Sequence, residues 1–118
     1  MFRGKFYRKI KKELSAGFYT VIIMLILSRY GACYGYKVIK IIRELSQGFL
    51  NPSESTVYEL LHSLQKEGLV KSYWAEVAGG VPRKYYELTE EGKKRLNEVL
   101  SLVEDFLKVF EKIKGELL

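Results

Sequence analysis

The order of the hydrophobic patterns along the chain is the feature that most limits its fold. Three stretches with apolar residues at three- and four-residue spacing come first, an aromatic and β-branched stretch follows, and a last helical pattern runs to the C-terminus. The 118 residues are enough for one hydrophobic core and too few for two. The sequence therefore predicts a mainly α fold with a small β-hairpin, built around a single core.

The first helical pattern runs from Phe6 to Leu25 and becomes apolar almost all round from Phe18 onward. This pattern predicts a helix that is buried on most sides. The apolar run over residues 18–27 is about half as long as a bilayer span requires, so we expect no membrane segment. Gly17 leaves open whether the residues before it form a separate short helix or a frayed extension.

The second and third helices are short. The second is predicted from about Gly35 to Ser46, after a turn at residues 30–33, with Val38, Ile39, Ile42 and Leu45 facing inward.

The third helix is predicted to begin near residue 52. Asn51 offers an N-cap, and Glu54 three residues later resembles the second half of a capping box. Gly68 takes the position that follows the C-terminal end of the helix. The apolar stripe of this helix turns a polar side away from the core, and that side consists of Ser55, Tyr58, Glu59, His62 and Lys66.

Residues 70–77 and 83–88 are rich in aromatic and β-branched side chains and predict the two strands of the hairpin. The Gly79–Gly80 pair lies in the turn between them. Trp74 in this hairpin is expected to lie in the core or to fill an interface, and the alternative is a stacking platform for an aromatic effector.

Thr89 is predicted to cap a last helix, and Gly115 to fray its end. Apolar residues of this helix repeat in heptads, and so long a seam requires a partner. We therefore predict a homodimer whose interface contains Leu96, Val99, Val103, Phe106, Phe110 and Ile113.

The net charge of +6 resides in the first twelve residues, since the other 106 carry equal numbers of basic and acidic side chains. Such a basic arm suits a polyanion, because each cation placed on a phosphate releases a counterion. The alternative is a solvated tail. The cations of the arm are Arg3, Lys5, Arg8, Lys9, Lys11 and Lys12.

The sequence offers no chemistry for catalysis or for metal binding. Cys33 is the single cysteine, which excludes an internal disulfide and favours a reducing compartment, the cytoplasm. His62 is the single histidine and has no partner at ligand spacing. No nucleophile with a base and no phosphate-binding loop appears. We expect no enzyme activity, no metal and no cofactor.

Three helices followed by a hairpin with a basic strand is the order of a winged helix-turn-helix domain. Three blocks of residues are also similar to the PadR family of transcriptional regulators, and this similarity extends over about residues 17–96. The blocks are Gly35-Tyr36, then Thr56-Val57-Tyr58 with Leu61, Leu64, Gly68 and Leu69, and finally Arg83-Lys84 with Tyr86, Leu88, Thr89 and Gly92.

The resemblance implies a homodimer joined by its C-terminal helices, with third helices in the major groove of DNA and hairpin wings on the flanking backbone. It implies repression more often than activation. Two residues depart from the family pattern, since Pro is frequent where Glu59 stands and an acid where Gln65 stands. Glu59 would repel phosphate, so it either accepts a hydrogen bond from a cytosine amino group or turns away.

We thus predict a DNA-binding domain at residues 1–89 and a dimerisation helix at 90–118, in one compact unit that binds double-stranded DNA. Two other functions stay open: a winged-helix module that binds a protein, and association of the basic arm with a membrane surface. Whether a small molecule tunes binding also stays open. The predicted contacts are Ser53, Ser55, Thr56, Tyr58, Glu59 and His62 from the third helix, Gly79, Gly80, Arg83 and Lys84 from the wing, and the six cations of the arm.

Overall fold

The computed structural model describes residues 4–76 and 79–118. Within these residues it contains α-helices and a small antiparallel sheet, whose strand order is β1-β3-β2. The predicted mainly α fold with a β-hairpin is confirmed. The elements are α1 (Lys5–Tyr30), β1 (Cys33–Tyr34), α2 (Gly35–Leu45), α3 (Glu54–Lys66), β2 (Val70–Ala75), β3 (Arg83–Leu88) and α4 (Glu90–Leu117).

Strand β1 corrects the sequence analysis, which assigned Cys33 to a turn. Cys33 pairs with Tyr86 and Tyr34 pairs with Tyr85, so the hairpin of β2 and β3 gains a third strand. A two-residue strand is too short to show alternation in its sequence. Its pairing fastens the start of α2 to the hairpin.

The core lies where α1, α2 and α3 meet the sheet. Tyr86 is the largest of its fully buried side chains. Leu45 is a correction, because it is exposed in the last turn of α2, beyond the buried residues of that helix. The core consists mainly of Ile23, Met24, Ile26 and Leu27 from α1, Val38, Ile39, Ile41 and Ile42 from α2, Val57, Leu61 and Leu64 from α3, and Val70, Tyr86 and Leu88 from the wing strands.

Helix α1 is one continuous helix through Gly17, so residues 5–12 of the basic arm are part of it and not a separate segment. The expectation that α1 is buried on most sides from Phe18 onward is wrong for Phe18 and Leu25, which are exposed, and Phe6 and Leu14 in the first half are exposed as well. With 26 residues the helix is longer than the core beneath it. The core residues of α1 all lie in its second half, between Ile23 and Leu27.

The start of α3 differs from the prediction. Ser53 is the N-cap, and its Oγ accepts a hydrogen bond from the backbone N–H of Thr56 at 3.2 Å. Asn51 is not the cap, because its Oδ1 accepts from Nε of Arg43 on α2 at 2.9 Å. Both residues can cap a helix, and the position of α2 decides between them.

The end of α3 is as predicted. Gly68 has a φ of +77°, its N–H donates to the carbonyl of Gln65, and the N–H of Leu69 donates to that of Leu64. These bonds form a Schellman motif, in which glycine avoids the strain of the left-handed conformation.

Thr89 caps α4 as predicted and also connects two elements. Its Oγ1 accepts from the N–H of Gly92 at 3.0 Å and donates to the carbonyl of Gly68 at 2.8 Å. The helices approach closely here, because a Cβ at Gly92 would collide with the carbonyl oxygen of Leu69. Helix α4 continues through Gly115 to Leu117, so the predicted fraying there is wrong. None of the helices in the described ranges is long and apolar enough to cross a membrane.

Candidate nucleic-acid interface

The outer face of α3 carries the polar side chains that the sequence analysis selected. Ser55, Glu59 and His62 are all exposed there. They lie on the opposite side of the helix from Val57 and Leu61, which are completely buried in the core. The face is therefore available to a partner while the opposite side fixes its position.

The hydroxyl groups at the start of α3 form a local cluster. Ser53 Oγ lies 2.9 Å from Thr56 Oγ1 and 3.2 Å from Ser55 Oγ. Ser53 is thus occupied by capping, and Thr56 is half-buried beside it. Among these three residues Ser55 is the one that is exposed and takes no part in the cap.

Tyr58 packs across the first residue of α2. A Cβ at Gly35 would lie 2.6 Å from the phenol ring, so only glycine lets the ring occupy this place. Tyr58 remains 36% exposed. The glycine of the Gly35-Tyr36 block and the tyrosine of the Thr56-Val57-Tyr58 block are therefore two halves of one contact.

His62 lies where α3 meets the sheet. Its Nε2 is 3.5 Å from the hydroxyl of Tyr86, whose pKa is raised by burial and by the neighbouring Tyr58. The Tyr86 hydroxyl therefore keeps its proton at neutral pH. Nowhere in residues 4–76 and 79–118 do His, Cys, Asp and Glu residues cluster in a way that could hold a metal.

The wing, strands β2 and β3 with their turn, presents the predicted cations. Arg83 is exposed and lies over the ring of Tyr34 at 4.3 Å, and Lys84 lies 5.6 Å from the ring of Tyr86. Gly79 and Gly80 are exposed in the turn, and Gly79 has a φ of +69°.

The expectation that Trp74 lies in the core is wrong, because the side chain is 69% exposed, and the other expectation, that it fills an interface, stays a prediction. Trp74 borders a cleft of about 480 Å³ between the wing and the helices α2 and α3, which we call the wing cleft. The cleft is lined by Tyr34, Tyr36, Tyr58, Trp74, Pro82, Arg83, Lys84 and Tyr86.

The basic arm lies beside the N-terminal end of α3. Arg8, Lys11 and Lys12 from α1 border a cleft of about 370 Å³ together with Ser53 and Thr56, and we call it the arm cleft. Lys5 and Lys9 are exposed on the same helix, and Lys9 pairs with Glu13 at 3.7 Å. Arg3 lies outside the described residues. Sequence spacing gave no sign that the arm adjoins α3, since more than forty residues separate them.

Thr56 borders the arm cleft and Tyr58 borders the wing cleft, and side chains two positions apart on a helix project in nearly opposite directions, so clefts that carry cations lie on both sides of the outer face of α3. A helix in the major groove of B-DNA has a phosphate backbone on each side of it. The arrangement of charge around α3 matches that geometry.

The sequence of the chain matches a known family of proteins. The family model described as "Transcriptional regulator PadR-like family" matches residues 23–98, which include α2, α3, the wing and the start of α4. The chain belongs to this family. It is therefore a DNA-binding transcriptional regulator and not an enzyme.

Solved structures and curated relatives agree with the PadR-like assignment. A transcriptional regulator from Clostridium thermocellum is 32% identical with a TM-score of 0.77, over 85% of this chain and 93% of that one. Bacillus subtilis PadR in complex with operator DNA is 27% identical with a TM-score of 0.61, over 69% of this chain and 45% of that one. The transcriptional regulator YqjI of Escherichia coli is 38% identical over 84 residues, which are 71% of this chain and 38% of YqjI.

The second half of α4 lies outside the range matched by the PadR-like family model and extends beyond the core. Phe106 and Phe110 are 69% and 59% exposed, and Ile113 is also exposed. Val99 and Val103 are half-buried. Leu96 is a correction to the predicted interface, because at 6% exposure it belongs to the core of its own chain. Helix α4 contacts α1 and β3, so Leu96 at its start is used by the core and not by the seam.

Cys33 has no role at this site. Its side chain is completely buried, and burial raises the pKa of its thiol. A buried, protonated thiol reacts slowly with oxidants, which agrees with a structural role for this residue in the PadR-like fold.

Proposed function

We propose that this PadR-like protein is a repressor that binds a pseudo-palindromic operator as a homodimer, with α3 of each subunit in a major groove. The observation that carries the proposal is the exposed polar face of α3 between two clefts that carry cations. The similarity to a PadR structure that contains operator DNA supports it. Such a protein acts where the chromosome is, so we place it in the cytoplasm.

Direct reading of bases falls to the outer face of α3. Ser55, Glu59 and His62 are exposed there and point away from the core. A carboxylate among them favours a cytosine, whose amino group donates a hydrogen bond in the major groove. Glu59 is therefore our candidate for a specific contact, and it replaces the proline that the family pattern often has.

Contacts with the backbone fall to the flanking residues. Arg83 and Lys84 on the wing side and Lys11 and Lys12 on the arm side are cations at the rims of the two clefts. Cations on phosphates strengthen binding and fix the register, and they carry no sequence information directly. Tyr58, held over Gly35, adds a hydroxyl donor to the wing side.

The homodimer is supported by two apolar surfaces that the single chain leaves uncovered. One is the second half of α4, with Phe106 and Phe110. The other is a groove of about 480 Å³ along the first half of α1, bordered by Ile10, Leu14 and Phe49 among others. A soluble monomer rarely exposes so many large apolar side chains in continuous patches. A two-fold dimer also imposes its symmetry on the operator.

Selection of bound sequences from random duplexes with the purified protein tests the proposal. We expect a dyad whose half-sites are separated by about one helical turn, roughly 10 base pairs. Enriched sequences without a dyad would contradict the symmetric dimer, and the absence of any enrichment would contradict sequence-specific binding.

Two classes of substitution then separate reading of bases from positioning. Arg83→Ala with Lys84→Ala should weaken binding to selected and random duplexes by similar factors. Ser55→Ala or Glu59→Gln should change the preferred base, at about 1–3 kcal/mol for each lost contact. If the two classes behave alike, α3 does not read the bases as proposed.

A further inference from the structure

Trp74 is an apolar side chain on the side of the wing that faces α3. Alternate residues of a strand share a face, so Trp74 lies on the same side of β2 as Val70 and Ser72. Val70 is buried in the core, and Ser72 Oγ donates to Oε1 of Gln65 on α3 at 3.0 Å. Trp74 continues this face beyond the end of the core, and its partner across the hairpin is Lys84.

The wing cleft combines aromatic faces, hydroxyl donors and positive charge. Trp74 and Tyr36 present exposed rings, and Arg83 and Lys84 supply two cations. Among the described residues, none of those that line the cleft is acidic. A strand of DNA offers the matching chemistry, since its deoxyriboses present apolar C–H groups and its phosphates are anionic acceptors.

The wing cleft is held in shape from the other face of the hairpin. Tyr73 and Tyr85 stack there with ring centroids 5.9 Å apart, and Tyr85 also meets Tyr34, which lines the cleft, edge to face at 5.6 Å. Lys71 on β2 and Glu87 on β3 form an ion pair on that face at 3.5 Å. The wall that carries Trp74 therefore needs little ordering when a ligand enters, which preserves affinity.

We propose that the wing cleft holds the sugar–phosphate backbone of one DNA strand beside α3, with Trp74 packed against a deoxyribose and Lys84 on the adjacent phosphate. The inference rests on the proposed function and adds to it a contact by an uncharged residue. Because sugar and phosphate are the same at every base pair, Trp74 contributes affinity without sequence preference.

Trp74 is the single tryptophan of the chain, so its fluorescence reports this contact alone. Full-length protein is titrated with a fluorescently labelled random-sequence duplex, and anisotropy of the label measures DNA binding independently. We expect the emission of Trp74 to change on binding and its quenching by acrylamide to fall by at least about half as the side chain leaves water. A matching single strand should have a smaller effect.

Trp74→Ala should weaken duplex binding by about fivefold to tenfold, and Trp74→Phe by less. The matched control is Leu45→Ala, which removes an equally exposed apolar side chain from the last turn of α2, away from the wing cleft and the arm cleft, and should change affinity less than about twofold. Thermal unfolding of each variant checks that the fold is kept.

Three results would overturn the inference while leaving the proposed function intact. In the first, anisotropy shows that the duplex binds while acrylamide still quenches Trp74 as in the free protein. In the second, Trp74→Ala binds the duplex as tightly as the unsubstituted protein. In the third, the single strand protects Trp74 from acrylamide better than the duplex does, which would indicate stacking with unpaired bases. If no duplex binds at all, the proposed function itself fails.

Discussion

At the scale of single residues, the contact between Gly35 and Tyr58 joins two helices that the sequence presents separately. The absence of a side chain at Gly35 gives the Tyr58 ring its place beside the wing cleft. The ring atoms that a Cβ would meet are at the far end of a flexible side chain. A substitution at Gly35 is therefore expected to displace Tyr58 more than to unfold the chain.

Gly35→Ala should lower the affinity for DNA by roughly threefold to tenfold, the range for one lost hydrogen bond. The melting temperature of Gly35→Ala should stay close to that of the unsubstituted protein, because the Tyr58 ring can move into solvent. Anisotropy of a labelled duplex gives the affinity and circular dichroism gives the melting curve. Gly17→Ala is the control, since a Cβ there meets no atom within 4 Å. If Gly35→Ala and Tyr58→Phe both bind as before, Tyr58 has no part in the interface.

At the scale of elements, the contact between the end of α3 and the start of α4 determines the direction in which the second half of α4 leaves the core. Thr89 joins the end of one helix to the start of the other through its hydroxyl. Gly92 permits the close approach to the backbone of Leu69, and a backbone carbonyl cannot give way as a side chain can.

Gly92→Ala should lower the free energy of unfolding by about 1–3 kcal/mol, because the added methyl group has no space. Gly115→Ala on the same helix should raise it by about 0.5–1 kcal/mol, since a Cβ there meets nothing within 4 Å and alanine is the better helix former. Urea denaturation of both variants measures the difference. Equal effects at the two glycines would show that the close approach does not constrain the fold.

Helix α1 is the other element whose placement matters for function. Residues 5–12 of the basic arm are helical in the structure, and this helix places Arg8, Lys11 and Lys12 at the arm cleft. Substitution is therefore a sharper test than deletion, because it removes charge and keeps the helix.

Replacing Lys11 and Lys12 by Gln should weaken binding to every duplex and make the logarithmic salt slope shallower by up to about 1.8, or roughly 0.9 for each lost phosphate contact. The same replacement of Lys108 and Lys112 on α4 removes equal charge far along the chain from the arm cleft and is the control. The slopes come from affinities measured over a series of salt concentrations. Identical slopes for the two double variants would contradict a contact between the arm and DNA.

At the scale of the whole molecule, the chain is a helical core from which the second half of α4 extends, and its longest dimension is 57 Å. An extended helix that carries an apolar stripe has no reason to remain uncovered in water. This shape supports assembly through α4, with the two α3 helices brought into fixed relative positions.

Phe106→Asp should convert the dimer into a monomer, because the charge would be buried without a partner in the interface. Sedimentation velocity measures the change in mass. Leu45→Asp is the control, since Leu45 is equally exposed at the end of α2, away from α4 in the sequence, and should leave the dimer intact. A dimer that survives Phe106→Asp would show that the interface lies elsewhere.

The sequence by itself determined the features that depend on neighbouring residues. Gly68 and Thr89 mark the junction of α3 and α4, because a left-handed turn and a hydroxyl cap act within a few residues. The helices, the hairpin and the resemblance to the PadR family could also be predicted from the sequence, because each depends on residues that are close together in the chain.

Tertiary structure alone decided the rest. Ser53 and not Asn51 caps α3, because the Asn51 side chain accepts a hydrogen bond from Arg43 of α2. The tertiary structure also added β1, left Trp74 exposed and brought the arm to the start of α3. Each of these depends on residues far apart in the chain, and local patterns do not specify which distant surfaces meet when the core forms.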